Sequence, residues 1–284
     1  MKISKQMVGE FDTHKVEFDS INEFYEYIKK TPTNKVFSDA DADAKRYGRK
    51  TALASQSTER SHWYGTSSFD EAVELLKNGV PDTSEKLTKL LKTEKKLQPV
   101  QTMKRVNGIQ GFQPIVPLYL MGVPNNMIST QMKPVKQKVV SLYVRVSYLC
   151  DVSAEKIAEE CVKKFRLVTK LESQNYRVNL FLLFDTKNRW DGKMNFMASI
   201  KLKGANERLN ISKLAFPLTH PSMQRRLLFR LVEVYPDMVR GYTSGYGTNV
   251  EGSVVDASFD GFVLPNFITK DVTKISTLEE LKDL

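Results

Sequence analysis

The sequence predicts an α/β protein of Rossmann-like architecture, and three stretches carry that prediction. Val140, Leu142, Val144 and Val146 alternate with Ser141, Tyr143, Arg145 and Ser147, the period-two signature of a strand. Ala154, Ile157, Ala158, Cys161, Val162, Phe165 and Val168 then recur at helical spacing behind Asp151 and Ser153, two residue types that cap helices. Tyr176 to Phe184 is a second apolar strand. In open α/β sheets ligands bind beyond the carboxyl ends of the strands, so the fold says where a site lies, though not what it does.

The other elements follow in chain order. Ser20-Ile21-Asn22-Glu23 is a capping box that opens a helix over 21–30, with Phe24, Tyr27 and Ile28 inward. Asp39 to Arg60 lacks apolar periodicity and is expected to be flexible. Ser68-Phe69-Asp70-Glu71 opens a short helix that stops at Asn78-Gly79. Asp82 to Leu97 predicts a basic helix, with Leu87, Leu90 and Leu91 inward and Lys86, Lys89, Lys92, Lys95 and Lys96 outward. Beyond Pro99 the chain is rich in Pro, Gly and Asn, yet carries Ile109, Phe112, Ile115, Val116, Leu118, Tyr119, Leu120 and Met121, which need a core to cover them. An ordered connector docked on the rest is therefore expected.

Met194 to Leu202 predicts a third strand, paired as a hairpin across the turn residues after Lys187. Pro221 starts a helix that buries Met223, Leu227, Leu228, Leu231 and Val232, leaves Arg225, Arg226 and Arg230 accessible, and stops at Pro236. Gly241 to Gly247 reads as a loop, Ser253 to Leu264 as one or two strands, and Ser276 to Glu279 as the cap of a terminal helix. The expected organisation is a mainly helical part over 1–105, the connector over 106–137 and the α/β domain over 138–284.

With 284 residues, 41% of them hydrophobic and 27% charged, the chain has the composition of a globular protein. Its longest apolar runs, such as Leu180 to Phe184, fall far short of the roughly 20 residues of a membrane span, and no membrane partner is expected. Cys150 and Cys161 form no secreted-type disulfide framework, which points to the cytoplasm. The net charge of +10 is the compositional outlier, and fields of that sign attract polyanions.

Two segments, Trp63-Tyr64-Gly65-Thr66-Ser67-Ser68-Phe69-Asp70-Glu71-Ala72 and Val123-Pro124-Asn125-Asn126-Met127-Ile128, resemble an uncharacterised family of bacteriophage and prophage proteins. The similarity extends through Tyr176 to Leu180, Leu214 to Pro221 and Gly245-Tyr246-Gly247. It implies a phage origin, hence the cytoplasm of an infected or lysogenic bacterial cell, and brings no activity with it. The strand, helix and strand from 139 to 184 also resemble the opening of a von Willebrand factor A-like domain. Such domains often hold a divalent cation on an Asp-x-Ser-x-Ser motif, but here Arg145-Val146-Ser147-Tyr148-Leu149 stands at that place. The resemblance therefore implies a degenerate metal site, with Asp151 and Asp185 as weak candidates.

No catalytic residue and no cofactor is assigned, and the chain reads as a binding protein rather than an enzyme. His14, His62 and His220 stand in no catalytic or metal-ligand motif, and the Gly241 to Gly247 loop lacks a P-loop ending. Basic clusters are the leading cue: Lys89, Lys92, Lys95, Lys96, Lys104, Arg105, Lys163, Lys164, Arg225, Arg226 and Arg230 are expected to contact nucleic-acid phosphates with little base specificity. The rival is a module that grips a host or phage protein through the strand ends and the loop bearing Tyr242, Gly245, Tyr246 and Gly247. A metal-assisted hydrolase would need Asp151, Asp185 and His220 to converge.

Overall fold

The computed structural model describes residues 1–58, 61–92, 102–133, 138–174, 176–188, 190, 193–243, 245–272, 274, 275 and 278–283. The chain opens with a hairpin, β1 (Lys2–Val8) and β2 (Phe11–Phe18), then helices α1 (Ile21–Lys30), α2 (Lys35–Arg46), α3 (Ser61–Tyr64), α4 (Phe69–Asn78) and α5 (Pro81–Lys92). A separate unit follows: β3 (Thr102–Gly108), β4 (Gln113–Pro114), α6 (Val116–Leu120) and β5 (Met127–Lys133). The body resumes with β6 (Lys138–Arg145), α7 (Ala154–Ser173), β7 (Tyr176–Lys187), β8 (Met194–Lys203) and α8 (Ile211–Thr219). A π-helical turn (Met223–Leu228) runs into α9 (Phe229–Val234), followed by α10 (Gly252–Ser258), β9 (Phe262–Leu264) and a 3-10 turn (Glu279–Asp283).

Six strands make one mixed sheet in the order β1-β2-β8-β7-β6-β9. The β2–β8, β6–β7 and β6–β9 pairings are parallel, and the β1–β2 and β7–β8 hairpins are antiparallel. Alternation along β6 to β8 sends Val140, Leu142, Val144, Val178, Leu180, Leu182, Phe196, Ala198 and Ile200 into the larger core, beneath α1, α4, α7, α8 and α9. Tyr143, Leu183 and Met197 point the other way, where Val254 and Val255 of α10 and Phe259 cover them. In α7 most of the expected stripe holds: Ile157, Cys161, Phe165 and Val168 are buried, Ala158 and Val162 are half-buried and Ala154 is exposed, and each of the larger buried ones stabilises the fold by about 1.5–3 kcal/mol on leaving water. Its cap is Ser153, which accepts from the Lys156 N–H, and α1 and α4 are capped by Ser20 and Ser68 as predicted.

Several expectations are corrected. Residues 2–18 form two strands that extend the main sheet, so the first part of the chain is not simply helical. The segment expected to be flexible begins inside α2, whose Asp41 accepts from Thr51 Oγ1 and the Ala52 N–H, while Leu53, Ala54 and Ser55 are buried. The first half of Ser253 to Leu264 is the helix α10, and the expected strand is confined to β9. Of the basic helix, α5 is present through Lys92 with Leu87 buried, and residues 93–100 lie outside the described residues, as do Ser276 and Thr277.

The largest correction concerns the helix after Pro221. Gln224, Arg225 and Arg226 are buried, not accessible, because the π-helical turn aims them at backbone carbonyls of three loops. Gln224 clamps Tyr148 by donating to its carbonyl (2.9 Å) and accepting from its N–H (3.1 Å). Arg225 donates to the Trp63 and Val152 carbonyls and lies over the Trp63 ring. Arg226 is fully buried and donates to Thr66 Oγ1 (2.8 Å), the Thr66 carbonyl (2.8 Å) and the Ser57 carbonyl (3.0 Å), with its guanidinium over Tyr64. One turn on, Arg230 donates to Thr33 Oγ1 and the Ile28 and Thr31 carbonyls. Arg226→Met removes donors from buried carbonyls and is expected to cost about 3 kcal/mol of stability in urea unfolding. Arg226→Lys, which lacks the planar fork, should recover only a small part of that loss.

Candidate functional site

At β6 the strand order reverses, with β7 on one side and β9 on the other, and the crevice beyond their carboxyl ends is where such sheets place ligands. The side chains there are committed to one another. Arg145 reaches from the end of β6 to Asp185 in a two-pronged ion pair and also donates to the Val250 carbonyl. Asp185, whose side chain is fully buried, accepts further from Ser147 Oγ (2.7 Å) and the Val250 N–H (2.9 Å). Asn249 and Asn266 both donate to the Ser147 carbonyl, and Lys164 donates to the Arg145 carbonyl. Burial, with Arg145 nearby, pulls the Lys164 ammonium down to about 8. A guanidinium thus supplies the positive charge beside Asp185.

The hydrolase constellation is not assembled: among the described residues no three His, Cys, Asp or Glu side chains come together as a metal-binding group. Asp151 is exposed ahead of α7. His220 caps α8 at its C-terminal end, stacks on Phe216 and accepts at Nδ1 from the Ser222 N–H. Burial drives its imidazole down to about 4, so it is neutral near pH 7.

The loop after Gly241, expected to grip a partner, turns both of its tyrosines into the interior and acts as a strut. Tyr242 is fully buried and donates to the Met194 carbonyl. Tyr246 stacks on Phe229 with ring centroids 4.1 Å apart, donates to Glu233 Oε1 and accepts from the Ala54 N–H. Desolvation raises the buried Glu233 carboxyl above its ordinary range. Gly245 and Gly247 supply the positive φ that the turn needs, and a Cβ on Gly247 would run into Thr186 Oγ1 and the Lys187 carbonyl.

The expected phosphate contacts divide sharply. Lys164, Arg225 and Arg226 are buried, and Arg230 is spent on carbonyls and Glu233. Lys163 is half-exposed and donates to Glu160 and the Ile268 carbonyl. Lys89 is exposed beside Glu85, and Lys104 and Arg105 are exposed on β3. The Lys92 side chain and all of Lys95 and Lys96 lie outside the described residues.

Lys104 and Arg105 belong to the separate unit, an arm none of whose described side chains joins either hydrophobic core. β3 and β5 pair antiparallel from Thr102↔Lys133 to Gly108↔Met127, and β4 adds to β5. Gly111 lets the chain cross directly over Ile128, whose carbonyl a Cβ would strike. The tip closes its own backbone bonds: Phe112 N–H to the Ile128 carbonyl, Ile115 N–H to Asn126, Tyr119 N–H to Ile115 and Val123 N–H to Leu118. The connector was expected to bury its apolar residues, but Ile109, Phe112, Val116, Tyr119, Leu120 and Met121 are 59–78% exposed. No side chain described from Lys104 to Gln131 is buried. Composition sets this stretch apart: no charged residue occurs from Val106 to Met132, and no Asp or Glu from Lys95 to Cys150. That second feature was legible in the sequence and is the signal that singles out the arm.

Two consequences can be measured. Asp185→Ala strands a guanidinium and is expected to cost about 3–5 kcal/mol, whereas the double variant Arg145→Leu/Asp185→Leu, which leaves no uncompensated charge, should cost less in the same urea titration. For His220, the folded pKa lies below the unfolded value of 6.5, so the unfolded chain takes up the proton first. Its contribution is complete above about pH 6.5 and falls away towards pH 4, by about 3 kcal/mol in all. Unfolding midpoints of His220→Asn should lose that part of the acid dependence.

Comparison with curated proteins and with solved structures finds no match. A family model does match, over residues 5–284, and by it the chain belongs to DUF7192, a domain of unknown function.

Proposed function

We propose that this is a non-catalytic, phage-type protein that binds nucleic acid with little sequence specificity, through the arm and the neighbouring basic helix. The carrying observation is the charge pattern: the exposed arm offers Lys104 and Arg105 to solvent within a stretch that contains no carboxylate from Lys95 to Cys150. A phosphate backbone is attracted to such a surface with no acidic side chain of the arm opposing it. Register places Lys104 opposite Gln131 and Arg105 opposite Thr130, so alternation presents one cation on each face of the ribbon. Lys89 is exposed on α5, and Lys92, Lys95 and Lys96 add positive charge in the sequence between it and the arm. The committed state of Asp185 supports binding without chemistry.

A von Willebrand factor A-like core is part of the same reading, supported by the parallel β6–α7–β7 unit with β9 on the other flank of β6. Resemblance of the Trp63 to Ala72 and Val123 to Ile128 segments to phage proteins supports a role in the cytoplasm of an infected cell. A second reading, capture of a host or phage protein, is favoured by the exposed apolar tip, since such patches mark interaction sites.

Salt separates the two. Fluorescence anisotropy with a short labelled DNA duplex is expected to show affinity falling steeply between about 50 and about 200 mM salt. Lys104→Glu/Arg105→Glu should weaken binding by about tenfold or more and flatten that slope by about two phosphate contacts. Lys30→Glu, on the exposed end of α1, should change little. Absence of duplex binding, or binding indifferent to Lys104 and Arg105, would overturn the nucleic-acid reading in favour of a protein partner.

A further inference from the structure

We propose that the arm tip is an apolar wedge that enters duplex DNA between base steps and kinks it, a step that rests on the nucleic-acid reading above. The tip and its base have opposite chemistry. Six large apolar side chains project from an uncharged stretch, and behind it Lys104 and Arg105 are exposed on β3. A strand advances about 3.4 Å per residue, so Lys104 and Arg105 sit about 10–14 Å behind Gly108, where the tip begins. A minor groove is about 7.5 Å deep. When the tip reaches the base edges, the strand positions of Lys104 and Arg105 lie outside the phosphates, and their long side chains, one on each face of the ribbon, reach back to the two backbones flanking the groove.

The side chains at the tip select this mode over others. Single-strand binders line up aromatic platforms on which successive bases stack. Here Phe112 and Tyr119 are the only aromatic residues of the tip, among Ile109, Val116, Leu120 and Met121. Aliphatic and aromatic side chains of this kind, with proline, are the ones that act as wedges between base pairs. Pro114, Pro117 and Pro124 lie within the same turn. A wedge must also enter a dry stack without leaving its own amides unpaired, and the closed N–H groups of Phe112, Ile115, Tyr119, Met121 and Val123 meet that need.

Unstacking a base step costs a few kcal/mol, and a duplex already weakened at one step removes much of that cost. The test uses the full chain with two synthetic probes, an intact duplex and the same duplex with a central nick, each carrying a donor and an acceptor dye at its ends. Wild-type protein is expected to shorten the end-to-end distance and to bind the nicked probe about tenfold or more tighter. The variant Phe112→Ser/Leu120→Ser/Met121→Ser changes only exposed side chains. It should keep the salt-dependent binding of the intact duplex within about threefold, while losing both the bend and the preference for the nick. Bending that survives these substitutions, or tight binding with no change in end-to-end distance, overturns the wedge and leaves the nucleic-acid reading standing. Binding to neither probe overturns that reading itself. Sedimentation of the same samples adds one more outcome: self-association lost in the tip variant, with no DNA bending by wild type, would assign the tip to a second copy of the chain and overturn the wedge.

Discussion

Much of the body depends on one constraint: the carbonyls of loops around residues 54–66, 148 and 152 must find donors in the interior, and a single helical stretch supplies them. Gln224, Arg225 and Arg226 emerge from a π-helical turn, which sends three consecutive side chains inward, Gln224 to Tyr148, Arg225 to Val152 and Trp63, and Arg226 to Ser57 and Thr66. A backbone oxygen left unpaired away from water is costly, and a guanidinium with five N–H groups satisfies several at once. Placement of the two guanidinium groups over the Trp63 and Tyr64 rings lets them be buried with their charge in place. Arg230 and Glu233 continue the pattern to α1 and to Ser55. The segment of low apolar content after α2 is held by polar bonds to this helix together with Leu53 and Ala54, its two core residues.

The ends of the central strands follow a similar logic. A carboxylate at the close of β7 would be an unpaired charge in a nearly dry crevice, and Arg145, one strand over, neutralises it with parallel hydrogen bonds. Ser147 and the Val250 amide complete the shell of Asp185, and the segment carrying Asn249 and Val250 is drawn across the strand ends. The crevice that this topology makes available is closed by the chain's own side chains. Exposed binding chemistry is found on the arm, whose described side chains belong to neither core.

That arm inverts the usual relation between apolar residues and burial. Its strands have two solvated faces and its tip is short, so no arrangement of Ile109, Phe112, Val116, Tyr119, Leu120 and Met121 covers them all within the unit. Folding of the tip rests on close backbone approach at Gly111, the positive φ of Gly122 and hydrogen bonds across the turn. A large apolar surface kept outside both cores is what an interaction element requires.

Periodicity alone determined the α/β class, the strand alternation of 140–147, the stripe of α7, the β7–β8 hairpin and the serine caps, because each depends on residues close in sequence whose side chains share a face. The charge pattern that marks the arm was likewise written in the chain. Tertiary structure decided everything that turns on distant partners. Arg225 and Arg226 read as surface cations until loops 160 residues away in sequence supply carbonyls for them. Tyr242 and Tyr246 read as exposed aromatics until Met194 and Glu233 accept from their hydroxyls. The apolar residues after Ile109 read as core until the surrounding chain proves to leave them uncovered. Burial of a charge and exposure of a hydrophobe are both properties of what lies opposite, and no local spacing encodes that.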